Sequence, residues 1–168
     1  MTHQYQQSIT TPLGELEVLA NEAGITHVQF VQPNDAELPA NSSIQPSAHG
    51  NAITALACQQ LTEYFAGQRH DFSLPLVPSG TAYQQRVWAA LLTIPYGTTC
   101  SYIDIAMQID QPTGSRSVGM ANSKNPLGIV IPCHRVIGKN GTLTGYAGGL
   151  DKKSWLLNHE SSDFTLTS

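Results

Sequence analysis

Cys133, His134 and Arg135 follow one another behind a proline in IPCHRV, residues 131–136, and Glu160 closes the downstream segment WLLNHE. A cysteine reacts as its thiolate, a form that an adjacent histidine and arginine favour. A histidine that takes its proton needs an acceptor to fix its tautomer, and a carboxylate such as Glu160 can serve. Adjacent side chains diverge, so His134 is expected to reach the sulfur through a water or from another turn. Cys133 could be a zinc ligand, half of a disulfide, a buried small hydrophobe or a nucleophile.

Spacing removes the first choice. Cys58 and Cys100 stand alone, His3, His27, His49, His70 and His159 are scattered, and neither C-x-x-C nor H-x-x-x-H occurs. No metal or cofactor is therefore expected. Three cysteines, with no basic patch and apolar core at the N-terminus, argue for free thiols in a reducing compartment, and the expected location is cytoplasmic. That disfavours a disulfide. Pro132 disfavours helix at Ile131, so the chain is expected to arrive extended through the apolar LGIVIP strand and turn at the cysteine, facing a cleft. Core residue and nucleophile both remain open on these grounds.

The elements that must position these residues fall into two parts. HQYQQSITTPLGELEVLANEAGITHVQFV runs in short apolar bursts broken at Pro12-Leu13-Gly14 and Glu22-Ala23-Gly24, a meander of strands. Residues 32–50 read as loop, and AITALACQQLTEYFAG as a helix holding Cys58 as a buried structural thiol. The proline-punctuated FSLPLVPSGT is a linker, which sets domains at 1–78 and 79–168. Beyond it, a helix with Val87, Trp88, Leu91 and Leu92 inward precedes SYIDIAMQI, capped by Ser101, and SRSVGMANSK. Two short helices around a tight polar turn sketch a helix-turn-helix. A turn at GKNGT, a glycine-rich GYAGG and a last helix, DKKSWLLNHE, follow. The expected fold class is mixed α/β of the α+β kind, a sheet-and-helix domain followed by a mostly helical one.

Net charge is −4, but unevenly placed. Residues 1–79 hold one cation against seven acids, a net of −6, while residues 80–168 hold seven cations against five acids, a net of +2. No apolar run approaches the length of a membrane span.

Taken in order, GTAYQQRVWAALLTIPYGTTCSYIDIA, SRSVGMANSKNP and NPLGIVIPCHRVIGKNGTLTGYAGGLDKKSWLLNHE resemble the O6-alkylguanine-DNA alkyltransferases, over roughly residues 79–160. The N-terminal half is more loosely similar to that family's ribonuclease-H-like domain. The resemblance implies DNA repair by direct reversal: a monomer flips the alkylated base out of double-stranded DNA, and a cysteine takes the alkyl group from guanine O6, or thymine O4, once per molecule. By position it implies Cys133 as alkyl acceptor, His134 as its base through water, Glu160 as the orienting carboxylate and Asn125 as the brace of the active-site loop. It implies Arg116 as the side chain that fills the vacated stack, Tyr102 at the 3′ phosphate and Tyr146 against the extruded base. Backbone around Cys133 and Val136 would read the base edge, and Arg135 joins the DNA-binding set. Small residues Ser115, Ser117, Gly119 and Ala121 would keep the second helix slim enough for a minor groove about 6 Å wide. Gly128, where some members carry proline, implies room for alkyl groups larger than methyl.

Overall fold

The structure, a computed structural model, describes residues 4–31, 50–138 and 149–161. Nearly all of the loop expected over 32–50, the GKNGT turn and the GYAGG segment with Tyr146 lie outside them. The chain divides into two compact units, residues 1–78 and 79–168.

In the first unit, β1 (Tyr5–Thr11), β2 (Gly14–Ala20) and β3 (Ile25–Phe30) form an antiparallel sheet in that order. Alternation in β2 sends Leu16, Val18 and Ala20 into the core. The β1–β2 turn closes on Gly14, at φ 115°, with the Thr11 hydroxyl donating to its carbonyl at 2.7 Å. At the second turn the backbone of Gly24 runs against Pro75, where a Cβ would fall 2.6 Å from the proline carbonyl oxygen. That close approach lets Ile25 donate to Pro75 at 2.8 Å and pair in parallel with Leu76. Helix α1 (Ala52–Phe65) starts with a capping box between Asn51 and Thr54 and packs Ala57, Leu61 and Tyr64 into the core. Cys58 is buried there, its thiol pushed up to about 11 by burial, as suits a structural thiol.

The second unit holds α2 (Ala82–Leu91), β4 (Cys100–Ser101), α3 (Tyr102–Gln108) and α4 (Ser115–Ser123), then a single 3-10 turn at Cys133–Arg135, β5 (Val136–Ile137) and α5 (Leu150–Glu160). Capping boxes start α2 (Thr81 with Gln84) and α3 (Ser101 with Asp104). Val87, Trp88 and Leu91 face inward as expected, but Leu92 caps the helix and is 50% exposed. The turn between α3 and α4 takes Asp110 left-handed at φ 60°, and the Arg86 guanidinium donates to the Ile109 carbonyl beside it. The Trp88 indole N–H donates to the Ala121 carbonyl at 2.9 Å, pinning α4 to α2. Parallel pairing of Cys100 with Val136 and Ser101 with Ile137 ties the start of α3 to the end of the 3-10 turn. Among the described residues no helix is long and apolar enough to cross a membrane.

Candidate active site

LGIVIP does not form the expected strand. Instead, Asn125, just after α4, gathers that segment around its side-chain amide. Its Oδ1 accepts from the Leu127 N–H at 2.9 Å, and its Nδ2 donates to the carbonyls of Ile131 at 2.8 Å and Leu127 at 3.4 Å. Ile129 is held left-handed at φ 72°, a costly state for a β-branched residue that only a closely constrained loop retains. The loop delivers Cys133 to the 3-10 turn, whose three residues per turn send Cys133, His134 and Arg135 in three directions.

Two of these side chains converge on Glu160. His134 Nε2 lies 2.7 Å from Glu160 Oε2, while Arg135 donates through Nε to Oε1 at 2.7 Å and through Nη2 to Oε2 at 3.0 Å. Arg135 Nη1 also donates to the Ile94 carbonyl at 2.7 Å, and the guanidinium lies over the Tyr96 ring. Arg135 is only 6% exposed, and its hydrogen-bonding edges face Glu160 and Ile94. Nor is Glu160 a solvated helix end; it is buried. Burial alone would raise its pKa, but the hydrogen bonds and charges of His134 and Arg135 outweigh that and hold it far below the usual carboxylate range.

An ionised carboxylate only accepts, so His134 Nε2 carries the shared proton. Burial pushes the imidazole below its ordinary value against the pull of Glu160, with Arg135 and Lys153 adding to the downward shift. The ring is therefore neutral near pH 7. Its Nδ1, a buried acceptor, has no protein hydrogen-bond partner among the described residues.

Burial pushes the Cys133 thiol up, opposed by the Asn125 amide, by the charge of Lys153 and by a backbone hydrogen bond at Cys133 itself. The thiolate thus draws its support from Asn125 and Lys153, where the sequence had pointed to His134 and Arg135. Lys153 is fully buried on α5, which packs against the 3-10 turn. Sequence reading missed it, although its signal was present: Lys153, Leu156 and Glu160 form one buried stripe at helical spacing. Asn122 was also missed. Its buried Nδ2 donates to the Cys133 carbonyl at 3.4 Å.

The remaining residues lie on other elements. Val136 is buried in β5. Tyr102 opens α3 with its ring facing Gly119, 3.8 Å from where a Cβ would lie, and Arg116 is exposed on the first turn of α4. Ser115, Ser117 and Gly119 leave α4 slim along part of its surface, while Ala121 faces the core and the large Met120 faces outward.

Residues 82–162 match the 6-O-methylguanine DNA methyltransferase DNA-binding domain, and residues 4–78 match the ribonuclease-like domain of the same methyltransferases. The constitutive methylated-DNA–protein-cysteine methyltransferase of Bacillus subtilis (strain 168) is 48% identical over 158 residues, covering 93% of this chain and 94% of that one. The methylated-DNA–protein-cysteine methyltransferase of Methanosarcina barkeri (strain Fusaro / DSM 804) is 42% identical over 160 residues, covering 95% and 98%. Mycobacterium tuberculosis OGT, solved in complex with DNA, aligns with a TM-score of 0.82 at 40% identity over 96% of each chain. With both halves matched and identity sustained over nearly the whole length, the chain belongs to the methylated-DNA–protein-cysteine methyltransferase family.

Proposed function

We propose that this protein repairs DNA by moving the alkyl group of O6-alkylguanine, and of O4-alkylthymine, onto Cys133 once per molecule. The observation that carries this reading is the buried relay from Glu160 to a neutral His134 whose Nδ1 can accept a proton, beside a cysteine whose thiol burial keeps protonated. The Cys133 proton passes towards Nδ1, through a water as the family resemblance implies, and the sulfur attacks the alkyl carbon in line. A carbon–sulfur bond forms as the carbon–O6 bond breaks, and the departing guanine takes a proton from solvent at its ring nitrogen, which balances the one that Cys133 gave to the relay. Lys153 and Asn125 stabilise the thiolate as it forms. The thioether has no ready route back, so the protein is consumed.

Residues 79–168 carry DNA binding and chemistry in this reading, and residues 1–78 act as scaffold. Helix α4 enters the minor groove with Arg116 in the vacated stack, Tyr102 rotates the nucleotide at its 3′ phosphate and Tyr146 supports the flipped base. Gly128 leaves room for alkyl groups beyond methyl. Three free cysteines support a reducing, cytoplasmic setting, and the protein acts as a monomer. Intact-mass measurement after incubation with duplex DNA containing O6-methylguanine tests the reading. One methyl per chain, lost in Cys133→Ala, is expected; an unchanged mass with repeated turnover would reject it.

A further inference from the structure

Val118, Ala121 and Asn122 form the buried arc of α4, which centres its outward face on Arg116, Met120 and Ser123 at the 3.6-residue period. Met120 is 69% exposed, more than any other large apolar side chain among the described residues. It lies one turn from Arg116, while Ser123 turns its hydroxyl back to the Met120 carbonyl at 2.7 Å. The fold gains almost nothing from burying Met120. A helix that enters a DNA groove with Arg116 leading must bring Met120 in with it.

We propose that Met120 is a second DNA wedge: its thioether side chain inserts into the groove that α4 enters and partly unstacks a base step near the one filled by Arg116. The inference rests on the DNA reading above. Four residues of helix span about 6 Å, on the order of two base steps at about 3.4 Å each. Flexible apolar side chains, methionine among them, are the usual minor-groove wedges, and they fit without reading sequence. Arg116 on α4 and Lys124 at its C-cap are the cations this helix offers, so few phosphates are neutralised along it and part of the affinity must come from contacts that salt does not screen.

The test measures binding of Met120→Ala and Met120→Leu to an O6-methylguanine duplex over a range of salt, with 2-aminopurine two steps from the lesion. Met120→Ala should bind roughly five- to twenty-fold more weakly with an unchanged salt slope. It should also lose most of the 2-aminopurine fluorescence rise, and Met120→Leu should retain both. The ratio of transfer rates from duplex and from free O6-benzylguanine base should fall in Met120→Ala. Equal or tighter binding by Met120→Ala overturns the wedge, as does a proportional loss with free base, which marks a folding role. A wild-type protein that takes no alkyl group from DNA overturns the functional reading itself, and the wedge with it.

Discussion

Lys153 and Glu160 lie seven residues apart on the one buried face of α5, so a single helix brings a cation to Cys133 and a carboxylate to His134. Seven residues span about 10 Å of helix. That separation suits a cysteine and histidine that are adjacent in sequence but splayed by a 3-10 turn. Docking of α5 therefore assembles both halves of the relay at once. Glu160→Gln should disrupt it doubly, leaving Arg135 without its counter-charge and His134 without its fixed tautomer. Removing one partner of a buried pair costs about 3–5 kcal/mol, and loss of an oriented base slows proton transfer by roughly 10²–10⁴-fold. Thermal denaturation and single-turnover transfer should show both effects; a variant with unchanged rate would remove His134 from the chemistry.

Lys153→Met keeps the length of the side chain and removes its charge, so packing on α5 should survive. The Cys133 thiol should then titrate still higher, since Lys153 is one of the groups that lower it. Iodoacetamide alkylation and alkyl transfer at pH 7 should each slow by about ten-fold or more, with the pH profile displaced upward. An unmoved profile would leave Lys153 a packing residue only.

Much of this arrangement is legible in sequence, because local signals decide it. Ser101 and Asp104 announce the start of α3, and the apolar stripe of α2 announces its buried face. Reading failed where a distant partner overrides the local pattern. LGIVIP has strand composition, yet Asn125 takes up its backbone groups and leaves it wound in a loop. Arg135 reads as a cation beside the cysteine and a member of the DNA-binding set, and only Glu160, 25 residues away, gives it a buried partner. Lys153 stands in the run DKKSW, where a lysine reads as surface, and only the docked helix face shows that it is buried.

Acid should destabilise the protein beginning near the ordinary histidine pKa. The folded pKa of His134 is depressed, so its stability contribution is complete above the unfolded value of about 6.5 and is lost as pH falls towards the folded value. In that window the unfolded chain binds a proton that the folded chain does not. The depressed Glu160 pKa acts with the same sign at lower pH, below the ordinary carboxylate range. His27, also depressed by burial, contributes in the first window. Urea midpoints at pH 7.5, 6 and 5 should fall in that order, and His27→Gln should remove only part of the fall; a flat series would mean that His134 is charged when folded.

Asn125 offers the sharpest separation of stability from reactivity. Its amide oxygen holds the Leu127 N–H, its nitrogen holds the Ile131 carbonyl, and the same side chain lowers the Cys133 thiol against its burial. Asn125→Ala removes all of these at once and frees Ile129 from its left-handed conformation, so the loop should relax. The stability loss should be about 1–3 kcal/mol, since each hydrogen bond contributes about 1 kcal/mol net and relief of strain offsets part of it. Asn125→Asp keeps the acceptor for Leu127 but loses the donor and sets a negative charge beside Cys133. Its melting temperature should stay closer to wild type than that of Asn125→Ala, yet its thiol should titrate higher and react more slowly with iodoacetamide. If the two variants instead lose reactivity in proportion to stability, Asn125 serves the loop alone and has no electrostatic part in the thiolate.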